Sequence, residues 1–72
     1  MRVNEVLSRL DDLELVKLST AELCWQGTKI QLMHDERFHN SRWGDMLVTH
    51  LGSIETILGW GIFIKGESYA IR

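Results

Sequence analysis

One cysteine, Cys24, in a chain of 72 residues leaves no internal disulfide and no multi-thiolate metal site to staple the fold. The chain must therefore hold itself together with a core alone. A domain of this size buries only ~60% of the surface its unfolded chain exposes, so each core residue matters. The apolar share of 44% is that of a folding sequence rather than a disordered one. These facts imply one domain over residues 1–72 and a reducing compartment. An enclosed pocket of several hundred cubic ångströms would compete with so small a core, which argues against a cofactor enzyme. No cofactor is expected.

Apolar spacing gives the expected elements. Val3, Val6, Leu7 and Leu10 fall at i, i+3, i+4 and i+7, the pattern of an amphipathic helix over 4–12, with Asn4 as N-cap and Asp11-Asp12 as an unfavourable end. LELVKLS reads as a half-buried strand. Leu23 and Trp25 before Gln26-Gly27, and Ile30 and Leu32 after it, alternate with polar residues, which predicts a β-hairpin turning at Gly27. A short helix capped by Ser19, with Glu22 in the capping-box position, is the competing reading. Residues 34–44, HDERFHNSRWG, break both periods and read as the main surface loop. Leu47, Val48, Leu51, Ile54 and Leu58 predict a second helix over about 45–58, started by Ser41 or Asp45 and stopped by Gly59, with Gly52 weakening its middle. A second hairpin around Lys65-Gly66 closes the chain. The expected fold is α+β in α-β-β-α-β-β order: two amphipathic helices on one face of an antiparallel sheet of four or five strands.

Few constellations carry chemistry. His34, Asp35 and His39 are suitable metal-ligand types, but H-D-x-x-x-H matches no closed site, because i and i+5 diverge on a helix. Cys24, in mid-strand, reads as a small buried hydrophobe, and Ser41 gains nothing from lying near His39 in sequence. His50 reads as an exposed helix residue. Gly59-Trp60-Gly61 lacks the longer glycine pattern and the lysine of a phosphate loop. No nucleophile, acid–base pair or metal group survives, so a non-enzymatic role is expected.

Binding is better supported. Arg37, Phe38, His39, Arg42 and Trp43 put guanidinium groups beside aromatics in the one segment not assigned to the core, a composition common among interface hot spots. The acidic residues Asp11, Asp12 and Glu14 form a second possible contact surface for a basic groove. With eight basic against ten acidic residues, the net charge of −2 gives no global attraction to nucleic acid. Direct nucleic-acid binding is therefore not expected. The expected partner is a larger protein or protein–nucleic-acid complex, and a second copy could cover leftover apolar surface. The charged start MRVNEVLSRLDD and the lack of a long apolar run lead us to expect a cytoplasmic protein with no membrane partner. Compact acidic domains of this kind include phage-borne inhibitors of bacterial defence such as anti-CRISPR proteins, a likeness of size and charge.

Three segments resemble pieces of the OmpR-type winged-helix DNA-binding domain of bacterial response regulators. ELCWQGTKIQLMHDE is similar to the strand–glycine–strand lead-in, with Leu32, Met33 and Glu36 in its closing stretch. RWGDMLVTHL resembles the recognition helix through Arg42, Asp45, Val48 and Leu51. IETILGWGIFI resembles the wing through Ile54, Glu55, Thr56, Gly59 and Gly61. The resemblance implies a DNA contact through Arg42, Thr49, His50 and Lys65. It also implies a strand at 54–58 and a helix ending near Leu51. Only five residues separate the first two segments, where the family has about two further helices.

Overall fold

The structure, a computed structural model, describes residues 1–21, 24–40 and 42–67. It is a small α+β fold. The elements run α1 (Val3–Leu7), β1 (Leu15–Ser19), β2 (Cys24–Thr28), α2 (Lys29–Met33), α3 (Glu36–Asn40), a 3-10 turn (Trp43–Asp45), β3 (Leu47–Thr56) and β4 (Gly59–Glu67). The four strands form one sheet in the order β2-β1-β4-β3. The sheet is mixed rather than antiparallel: β1 runs antiparallel to β2 but parallel to β4, and β3 and β4 form a hairpin. Parallel neighbours need a long crossover, and α2, α3 and the 3-10 turn lie within that connection.

Both glycines expected at hairpin turns lie inside strands. Gly27 pairs with Val16 in mid-ladder, and a Cβ there would come 2.7 Å from the Trp25 ring. The glycine makes room for the indole. Gly66 pairs with Val48, and a Cβ there would press on Val3 and Met46 at 3.3 and 3.4 Å. After Gly27 the chain enters α2 instead of a strand. Thr28 Oγ1 accepts from the Gln31 backbone N–H at 3.3 Å, and Gln31 Oε1 accepts from the Thr28 N–H at 2.9 Å. This reciprocal capping box supplies two hydrogen-bond partners at the start of a five-residue helix. The competing capping box falls on Glu22, and the outer strand of the hairpin expected at Lys65-Gly66 falls on residues 68–72. Both lie outside the described residues.

The expected helix over 45–58 is the strand β3. The first step of its helical spacing comes from a β-bulge: Val48 pairs with Gly66 and His50 with Lys65, leaving Thr49 as the extra residue. Val48 and Leu51 thereby share a face although three residues apart. Gly59, at φ 125°, closes the two-residue turn Ile57-Leu58 rather than a helix. Thr56 Oγ1 ties that turn, donating to the Gly59 carbonyl (2.7 Å) and accepting from the Leu58 N–H (3.1 Å). The segment resembling a recognition helix is likewise extended from Leu47 onwards.

The first helix is shorter than its periodicity suggests. It follows Arg2, not Asn4, and the Arg2 N–H is held by Glu5 Oε1 at 2.9 Å. Its Val3, Val6 and Leu7 join Val16, Leu18, Trp25, Leu32, Phe38, Trp43 and Ile64 in a single core. On the other face of the sheet, alternation places Lys17, Gln26, Phe63 and Lys65. Among the described residues, no helix is long and apolar enough to cross a membrane.

Candidate functional site

The described residues 34–40 and 42–44 pack into the fold rather than forming an open loop. Asp35 organises it, accepting from the Trp25 indole N–H (3.2 Å), the Arg37 backbone N–H (2.8 Å) and the Arg37 guanidinium (2.9 and 3.1 Å). Phe38 and Trp43 are 4% and 2% exposed and meet edge to face at 6.3 Å, so neither is a surface anchor. In so small a domain, aromatic area stabilises more inside than outside. Arg37, His39 and Arg42 remain on the surface. His39 Nε2 donates to the Met33 carbonyl at 2.6 Å. Arg42 adopts the left-handed region at φ 56° and is the only non-glycine residue among those described to do so. With Asn4, Phe38, Gly44 and Asp45 it lines a shallow cleft of about 130 Å³.

The side-chain hydrogen bonds from Arg37 hold the Asp35 carboxyl well below its ordinary value of 3.8; desolvation, next in size, opposes them, and the Arg37 backbone N–H, its charge and the Trp25 indole add to the lowering. A carboxylate with a lowered folded-state pKa stabilises fully above its unfolded value and loses that contribution as pH falls below it. We expect the melting temperature to drop more steeply from pH 6 to pH 3 in the wild type than in Asp35→Asn. Equal acid sensitivity in the two proteins would rule out this role.

The three metal-ligand candidates are not brought together. His34 ends α2 on the surface, Asp35 is engaged by Arg37 and Trp25, and His39 turns to Met33. Among the described residues, no three His, Cys, Asp or Glu side chains are grouped to hold an ion. Cys24 is exposed, contrary to the sequence expectation, because the inward position is taken by Trp25. His50 is exposed, on a strand instead of a helix.

Another surface emerges at the end of the sheet where β4 begins. Ile57 is 97% exposed, Leu58 70%, Trp60 69% and Leu13 78%. The parallel register of β1 on β4, Val16 against Ile62, places Leu13 at the same end as Gly59. Ile30 joins them, its N–H bonded to the Asp12 carbonyl at 2.9 Å. Asp11, Asp12 and half-buried Glu14 therefore border an apolar surface, along with Glu55 on β3. The sequence pattern places the acids but hides the apolar tip, because its helical spacing puts Leu58 in a helix. A bulge-corrected strand pattern would have put Ile57-Leu58 in the turn.

A groove of about 310 Å³ runs between α1 and the β3–β4 hairpin. Val6, Leu10 and Ile62 line it with Leu51, and Met1 and Arg9 stand at its sides. Comparison of the chain with protein-family models, curated proteins and solved structures finds no match.

Proposed function

We propose that this chain is a non-enzymatic protein-binding module, a small antagonist or adaptor that docks on a larger protein through its hairpin tip. The observation carrying this reading is the exposure of Leu13, Ile57, Leu58 and Trp60, each more than two-thirds bare, at one end of the sheet. Large apolar side chains left together in water cost stability in solution, and such patches mark interaction sites. Trp is among the residues enriched at interface hot spots. The flanking Asp11, Asp12, Glu14 and Glu55 favour a basic rim on the partner. Arg37, His39 and Arg42 lie on a separate surface, without the aromatic anchors that would have joined them.

A photocrosslinking residue at Leu58 tests the reading in cells that express the chain. We expect one discrete protein adduct at position 58, none at Gln26, and displacement by unlabelled wild type. Trp60→Ser should displace at least tenfold less well, equivalent to about 1.4 kcal/mol or more. Equal capture at both positions, or full competition by Trp60→Ser, would remove the tip as the docking surface.

A further inference from the structure

We propose that a second copy of this chain pairs along the free edge of β3, joining the two sheets antiparallel about a two-fold axis at Ser53. The first part of this edge is already covered by the chain's own start. The Val3 N–H donates to the Met46 carbonyl at 3.0 Å, and the Val48 N–H to the Met1 carbonyl at 2.8 Å. Beyond the bulge at Thr49, residues 50–56 have β4 on one side and no backbone partner on the other among the described residues. Natural edges are guarded by proline, lysine, bulges or short length. This stretch has none of these, and Glu55 is its only acidic or basic residue besides His50.

Its geometry is self-complementary. Thr56 and Gly59 flank a two-residue turn and form a hydrogen-bonded pair of the hairpin, so alternate residues Leu51, Ser53 and Glu55 direct their N–H and C=O groups outward. That set is symmetric about Ser53. An antiparallel copy centred there sets Leu51 against Glu55 of the second copy and uses the whole free stretch, as an isologous interface requires.

The side chains agree with this register on both faces. On the core side, Glu55 of the second copy arrives beside Leu51, at the groove flanked by Arg9. Arg9 is exposed and has no ion pair among the described residues, so two symmetric Arg9–Glu55 pairs form. On the other side, Ile54 of the second copy arrives beside Gly52. A Cβ at Gly52 would meet nothing within 4 Å, so the isoleucine finds space next to Phe63, the cross-strand neighbour of Gly52. No like charges oppose each other, since His50 faces Thr56.

Sedimentation velocity from 1 to about 200 μM, with circular dichroism to confirm folding, tests the pairing. The wild type should dimerise. Arg9→Glu and Glu55→Arg should each weaken the dimer about tenfold or more, and the double variant should restore it. Amide exchange gives a measurement free of substitutions: Leu51, Ser53 and Glu55 should exchange more slowly as concentration rises. A wild type that stays monomeric overturns the proposal, as do single swaps without effect, a double swap without rescue, or concentration-independent exchange. The hairpin-tip reading is tested separately, because the mass of the Leu58 adduct tells a different protein from a second copy of this chain.

Discussion

Trp43→Ala is expected to damage the fold itself. The indole is almost fully buried against Phe38, in the 3-10 turn that leads into β3. Removing a buried tryptophan costs about 3–5 kcal/mol through lost transfer energy and the cavity left behind. A chain of 72 residues has a total stability of roughly 4–11 kcal/mol, at the usual value per residue. The substitution should therefore remove much of the margin, shifting the urea midpoint down sharply. Trp60→Ala, at a position 69% exposed, should move it by only about 0.5 kcal/mol or less. Similar midpoints for the two variants would show that the buried and exposed indoles have been assigned the wrong way round.

Gly61→Ala is the second large effect. A Cβ at Gly61 would lie 2.7 Å from the Leu15 carbonyl oxygen and 2.8 Å from its Cβ, and backbone cannot swing aside as a flexible side chain does. Overpacking of this kind costs about 1–3 kcal/mol. The strain falls where β1 and β4 join, the seam between the two hairpins. Gly52→Ala is the matched comparison, because its new methyl enters open space and lowers backbone entropy, for a gain of about 0.5–1 kcal/mol. Denaturation at low protein concentration should give opposite signs for the two substitutions. Two equal shifts would discount the close approach of Leu15.

The α+β class was legible in the sequence, along with a helix near its start and the strand at 15–19. Alternation of apolar residues needs no tertiary knowledge. The errors share a physical cause. A glycine in an alternating segment reads as a turn, but Gly27 and Gly66 serve as gaps, one for the Trp25 ring and one for Val3. Such a role is decided by residues distant in space. The bulge at Thr49 breaks the two-residue period of β3 and sets Val48 and Leu51 three residues apart on one face, a spacing that imitates a helix. The real turn, Ile57-Leu58, has no polar turn residue to announce it; its geometry rests on Thr56 and Gly59. Thr28-Lys29-Ile30-Gln31, by contrast, displayed a capping box openly and was overridden by the apparent alternation. Of the expected contact residues, Asp11, Asp12, Arg37, His39 and Arg42 are at the surface and Glu14 is half-buried. Phe38 and Trp43 are not, because burial depends on which chain segments close over them.

The parallel seam between β1 and β4 also sets the order in which this chain can assemble. Each hairpin is local: β1 pairs with β2, and β3 with β4, each with its neighbour in sequence. Val16 and Ile62, which meet at the seam, lie toward opposite ends of the sequence. Loop-closure entropy is lost before their contact returns any stabilisation, so joining the hairpins is the slow, non-local event. Until it happens the β3–β4 hairpin has both its long edges bare. Before the seam closes, β4, later the inner strand, is as open to foreign strands as β3, and closure of the seam is what covers it.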